Sequence, residues 1–396
     1  MRAGQTAWNA ARAAGDWSLF APSLEAYIYW TRAWAASVDD SRGAYDVVLS
    51  NRNEGLTAAR IGTVLDGVRA ELPALVADLR ARGAAPDASW LDGEYNTTAQ
   101  WDLFNAVVGA FGFDFARGRF DPSFPGASIT WAPNTPDDVR FVTGVNEREF
   151  IDGLYWALST AGGALELQAR GRDGLPASTD RGVFSSNRLW ARPLGQSAAF
   201  AEFLLPAIQA RLPEFGAGRD AGDLFRAVNK LPDTVAVMRG NSSEVTNALH
   251  AALQFEIERR LFDGSLAAAD VPGAFDALAR ELFGAAPADA LQGALQYDMW
   301  GRGAFATATA DFAREAGAAQ VFAAARAALP GLDAQVAAGD FGPLLRWLTD
   351  NVYVQGRLRP SLDVLLRDVS GAPLDAAAFM RYVRDKYSAA YRLPPA

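Results

Sequence analysis

Arg148-Glu-Phe-Ile-Asp-Gly-Leu-Tyr-Trp-Ala-Leu-Ser-Thr-Ala-Gly-Gly-Ala-Leu-Glu-Leu-Gln168 is the stretch on which the reading of this chain turns. Phe150, Ile151, Leu154, Tyr155, Leu158, Ala161 and Leu165 recur at helical spacing, which predicts a helix of about five turns with one side in a core. Ser159, Gly162, Gly163 and Glu166 fall at i, i+3, i+4 and i+7, so three small residues and one carboxylate share a strip of that helix. Two adjacent glycines inside a helix cost roughly 1 kcal/mol each relative to alanine, and something should compensate. A close helix neighbour is the reading the residues favour, and the floor of a cavity is the other.

Outward from this helix, the chain reads as one large folded unit over residues 1–396, because no long linker or low-complexity run divides it. Half of its residues are apolar and 21% are charged, ample for a sizeable core. The 37 basic and 46 acidic residues leave a net charge of −9, which repels nucleic-acid backbones and anionic membranes, so neither is expected as a partner. With no cysteine, disulfides and thiolate chemistry are excluded, and a cytoplasmic location is the default expectation. Residues 1–16 carry Arg2 and Arg12 without a continuous apolar run and are expected to be neither a signal peptide nor a membrane span.

Pro22–Val38, Thr57–Arg82 and Thr97–Phe111 show helical spacing, the first with Pro at its start and the second stopped by Gly83–Pro86. Between Gly112 and Val145 the pattern alternates through Phe113–Phe115, Ser128–Trp131 and Val139–Thr143, which predicts a small three-stranded sheet. A polar loop spans Gly171–Gly182, and helical periodicity then returns in Ser186–Leu212, Asp223–Asn229, Ser243–Phe262, Pro272–Phe283, Phe305–Ala328, Phe341–Asn351, Ser361–Asp368 and Asp375–Ala390. A mainly α chain with one small sheet near its middle is the outcome.

Few residues offer chemistry. The one histidine, His250, has Leu249, Leu253 and Gln254 as helical neighbours and reads as a satisfied, partly buried side chain. No phosphate-binding glycine loop is present. Asp137, Asp138, Arg140, Arg188, Arg239, Glu244 and Asp298 stand beside apolar runs, where paired or solvated charges are the ordinary reading and convergence in one cleft would make a site.

A set of short strings in collinear order resembles the carboxypeptidase Taq family of zinc metallocarboxypeptidases. They include Tyr45-Asp46 with Glu54-Gly55-Leu56-Thr57, Gly118-Arg119-Phe120-Asp121, Asp138-Val139-Arg140, Arg188-Leu189-Trp190, Val228-Asn229-Lys230, Glu244-Val245-Thr246 through His250, Phe255-Glu256-Ile257-Glu258-Arg259, Gly293-Ala294-Leu295-Gln296 and Gly356-Arg357-Leu358. The resemblance implies a zincin-like helical carboxypeptidase domain with its small sheet beside a central groove, shortened at the N-terminus relative to the family. In the family a His-Glu-x-x-His helix binds zinc and supplies the general base; here the matching positions read Ser159-Thr160-Ala161-Gly162-Gly163. The third ligand, a Glu, falls on Phe184, and two further family histidines fall on Met299 and Gln355. The comparison thus implies no bound metal and no other cofactor. Arg239 and Gln296 match family substrate-binding residues, and a guanidinium suits a terminal carboxylate.

From this pattern follow the expectations to be tested. The first is a metal-independent enzyme, no longer a zinc peptidase, that reuses the groove on a carboxylated or peptide-like small molecule in specialised biosynthesis. Glu166 would be its acid or base, and Ser159, Gly163, Arg140, Phe184, Arg188, Arg239, Gln296 and Asp298 would line the substrate. A cavity is expected over Ser159 and Gly163, bordered by Phe184, Arg188 and Glu166. A second reading is a non-catalytic pseudo-peptidase that binds a peptide or partner protein, and a homodimer is allowed. The third is an active metallocarboxypeptidase using different ligands.

Overall fold

The computed structural model describes residues 2–123, 129–131, 136–170, 184–232, 243–356 and 358–393. Helices α1 (Arg2–Ala14), α2 (Ala21–Val38), α3 (Ala44–Arg52), α4 (Ala58–Arg82) and α5 (Thr97–Ala110) precede strands β1 (Gly118–Ser123), β2 (Ile129–Trp131) and β3 (Val139–Gly144). Next come α6 (Phe150–Arg170), α7 (Ser186–Leu189), α8 (Ala198–Gln209), α9 (Ala221–Val228), α10 (Glu244–Asp263), α11 (Val271–Phe283) and α12 (Asp298–Gly301). The chain ends through α13 (Thr307–Ala328), α14 (Leu332–Ala337), α15 (Gly342–Leu348), α16 (Val354–Gly356), α17 (Leu362–Ser370) and α18 (Ala376–Ala390). Two compact units result, Met1–Asp78 with Leu231–Ala313 and Leu79–Lys230 with Arg314–Ala396.

In the second unit, β3 lies between β1, to which it is parallel, and β2, to which it is antiparallel. The register sets Phe120 opposite Phe141, and their rings stack with centroids 4.3 Å apart. Gly118 begins β1 because a Cβ there would come within 2.3 Å of the Val139 carbonyl oxygen. Pro122 is tolerated because β1 is an edge strand. The first strand therefore sits a few residues later than the alternation Phe113–Phe115 predicts. Asp114 accepts from the Ala116 N–H and turns Phe115–Arg117 into a 3₁₀ turn instead. Gln168, near the end of α6, ties this turn down: its amide donates to the Asp114 and Arg117 carbonyls and accepts from the Asp114 N–H.

The predicted helix over Ser186–Leu212 is broken. α7 passes into a π-turn at Trp190–Leu194, Pro193 supplies no N–H, and Ser197 caps a new helix by accepting from the Phe200 N–H. A second π-turn, Thr349–Tyr353, follows α15. It ends on Tyr353, which is buried.

In the first unit a buried polar knot holds α3, α10 and α12. Glu258 accepts from the Tyr45 hydroxyl at 3.0 Å, the Trp300 indole N–H at 2.8 Å and the Ala306 N–H at 2.7 Å. His250 is fully buried rather than partly so, with its Nδ1 2.6 Å from the Tyr297 hydroxyl and its ring against Phe283.

Candidate functional site

α6 is buried along almost its whole length from Leu154 onward, and α7 is its closest helical neighbour on the glycine side. A Cβ built on Gly162 would stand 2.8 Å from Trp190 Cδ1 and 2.9 Å from the Ser186 carbonyl oxygen. One built on Gly163 would meet the Asn187 amide, with Oδ1 at 2.9 Å and Nδ2 at 3.0 Å. Close helix packing is thus what the two glycines allow, and the expected cavity over Gly163 is corrected. The Asn187 side chain fills that volume, because a residue without a Cβ let α7 approach until its own side chain took the space.

The two contacts differ in kind, which yields a contrast. At Gly162 the obstacle includes backbone, which cannot swing aside, so Gly162→Ala should lower stability by about 1–2 kcal/mol; the overpacking penalty exceeds the helix-propensity gain. At Gly163 the obstacle is the end of a flexible side chain. Gly163→Ala should therefore be neutral or gain up to about 1 kcal/mol. Urea-unfolding midpoints of the two variants check this, and equal stabilisation of both would show that neither glycine is packed.

Glu166 is 8% exposed and both of its oxygens are engaged. Oε1 accepts from Arg170 at 2.6 Å, one turn along α6, and Oε2 accepts from the Ser186 N–H at 3.3 Å at the start of α7. Beneath it the Tyr353 hydroxyl accepts from the Trp190 indole N–H at 2.8 Å and lies 2.6 Å from the Ser186 hydroxyl. Burial pushes the Tyr353 phenol up. The carboxylate called as acid or base is therefore a structural tie between α6 and α7, its geometry that of a closed ion pair rather than a group facing substrate.

The other expected site residues are spread over both units. Ser159 is half-buried on α6, and Phe184 and Arg188 lie in the same unit, Phe184 buried in the core and Arg188 half-buried on α7. Arg140, on β3, is exposed and paired with Asp138 at 2.9 Å, which holds its charge high and outward. Gln296 and Asp298 belong to the first unit, where Gln296 donates to the Gln292 carbonyl at 2.5 Å and Asp298 pairs with Arg302 at 2.7 Å. Arg239 lies outside the described residues. Of the network around Glu166, only Arg170 had a local signal, the i,i+4 spacing. Tyr353 is 167 positions from Ser186 and left none.

The family's zinc was tested against this geometry. Thr160, at the general-base position, donates its hydroxyl back to the Trp156 carbonyl, and Gly163, at a ligand position, lies under Asn187. Among the described residues no group of three or more His, Cys, Asp and Glu side chains is placed to hold a metal ion, so the described residues of α6 and α7 do not fit the metal.

The profile of the carboxypeptidase Taq (M32) metallopeptidase family matches residues 1–387. Thermostable carboxypeptidase 1 of Thermus thermophilus is 30% identical over 399 aligned residues, covering 97% of this chain and 77% of the relative. Carboxypeptidase 1 of Bacillus subtilis is 26% identical, covering 98% and 77%. The structure of the M32 carboxypeptidase from Deinococcus radiodurans superposes with a TM-score of 0.88 at 30% identity, covering 98% of this chain and 78% of that one. These matches correct the leading expectations. A metal-independent biosynthetic enzyme and a pseudo-peptidase both conflict with relatives that are carboxypeptidases along nearly the whole chain, and the metallocarboxypeptidase reading is the one they support.

Proposed function

Since the chain belongs to the carboxypeptidase Taq (M32) metallopeptidase family, we propose that it acts as a carboxypeptidase on the C-terminal end of peptides. What carries this reading is the match over residues 1–387, supported by a relative at 30% identity named as a carboxypeptidase. Within it, Arg239 and Gln296 are proposed to take the terminal carboxylate, a planar anion that a guanidinium and an amide both recognise through directed N–H groups. A cysteine-free chain suits the cytoplasm, where we place it. Among the described residues no helix is long and apolar enough to cross a membrane.

Because the described residues of α6 and α7 do not fit zinc, the test resolves the metal. The full chain, stripped with chelator and then reloaded with Zn²⁺ or Co²⁺, is incubated with peptides carrying free or amidated C-termini, and products are read by mass spectrometry. Stepwise loss of C-terminal residues from the free peptides only is the expected result, and the chelated and reloaded arms decide whether it needs a metal. Peptides left intact in every arm would overturn the proposal.

A further inference from the structure

The strip of α6 that closes under Asn187 at Gly163 opens two turns earlier. Glu149, just before the helix, then Asp152, Trp156, Ser159 and Gly163 follow one another at spacings of three and four, so they share one side of it. Ser159 is half-buried, Trp156 is 56% exposed, and Asp152 and Glu149 are exposed. From Gly153 to Arg170, Trp156 is the one exposed residue of a helix otherwise turned into its own unit. A lone exposed tryptophan needs no explanation, and it is the charges beside this one that point to an occupant.

Asp152 stands one turn before Trp156 on the same side. Asp92 is brought to this end of α6 through Tyr95, whose N–H donates to the Glu147 carbonyl at 2.9 Å and whose ring packs on Phe150 with centroids 5.4 Å apart. Partial burial, and after it the Glu149 and Asp92 carboxylates, raise the Asp152 carboxyl above its ordinary 3.8. None of these three carboxylates has an ion-pair partner among the described residues, and the adjacent Arg148 is spent on Glu94. Like charges crowded without a cation repel one another, and a bound cation removes that repulsion.

We infer that Trp156 and Asp152 form a specificity subsite for a basic side chain at the C-terminal end of the peptide, arginine before lysine. The inference rests on the carboxypeptidase reading above for the identity of the ligand as a peptide. A guanidinium stacks on the face of an indole while its edge N–H groups reach a carboxylate, a double demand that an ammonium meets less fully. An apolar side chain would cover the indole and leave the carboxylates facing one another. An acidic one would add to their repulsion. The same charges turn away nucleic acid and anionic lipid.

Peptides alike except for Arg, Leu or Glu at both of their last two positions, offered to the full chain with free or amidated C-termini, test the subsite. On the free peptides kcat/KM should be at least about 10-fold higher for Arg than for Glu, with Leu between them. The amidated forms, which are not trimmed, should bind in the same order by titration calorimetry. Trp156→Ala and Asp152→Asn should each narrow the Arg-over-Glu ratio at least about five-fold in both readouts, with unchanged circular dichroism, and Trp156→Phe should keep most of it. Equal trimming and equal binding of the three peptides overturn the inference, as does a preference for Arg that survives Trp156→Ala and Asp152→Asn. Peptides bound in the expected order but left intact in every form would support the subsite while overturning the carboxypeptidase reading, so the two failures are told apart.

Discussion

Glu166→Ala should cost about 1–3 kcal/mol of stability, because it removes a buried carboxylate to which the Arg170 guanidinium donates. The two side chains are 10% and 5% exposed, so water cannot replace the lost partner. The Ser186 N–H at the start of α7 loses its acceptor as well, and α7 is the element that packs over both glycines. Replacing both charges together, as Glu166→Leu with Arg170→Met, should recover most of the loss, since a buried ion pair and a well-packed apolar pair are often of similar stability. The pair of variants thus separates a structural tie from a group held ready for chemistry. Denaturant midpoints followed by tryptophan fluorescence give the answer, and a loss under about 1 kcal/mol for Glu166→Ala would mean that the ion pair does not hold α6 to α7.

Glu258→Ala should be at least as damaging to the first unit. Three donors point at this carboxylate, and each buried donor left unsatisfied costs about 1–3 kcal/mol, before any term for the space vacated. A loss of about 4 kcal/mol or more is expected. One of the three donors is the N–H of Ala306, whose φ of 58° is rare for a residue with a Cβ, so the carboxylate also holds a strained turn before α13. Burial pushes the Glu258 carboxyl up from its ordinary 4.5, against the three hydrogen bonds that pull it down. The sign follows from linkage. A carboxyl whose folded value is raised contributes stability fully below about pH 4.5 and loses it as pH rises through the folded value. The stability of the parent chain relative to Glu258→Gln should therefore fall as pH rises above about 4.5. Identical slopes would place the carboxyl in water-like surroundings.

Much of the architecture was legible in the residues. The periodicity of Phe150 to Leu165 marks α6, Pro22 marks the start of α2, and the short strings in order carry the family. Ser186 to Leu212 was not, because its apolar spacing runs on through Pro193 while the backbone breaks there. The strand near Phe113 was not, because Asp114 can satisfy a turn as readily as alternation satisfies a sheet. At the candidate site the identities of Ser159, Gly163 and Glu166 could be read, but not whether they faced space or protein.

By itself, then, the sequence determined the helical class and the family, since each rests on local spacing or on ordered strings that survive without knowing what touches what. Only the tertiary structure decided that Gly162 and Gly163 are points of helix contact, that Asn187 fills the space above one of them, and that Glu166 is spent on Arg170 and Ser186. The reason is that a missing Cβ and a carboxylate are each compatible with an open site and with a closed interface. Which one they make depends on α7 and Tyr353, brought to α6 by packing rather than by proximity along the chain.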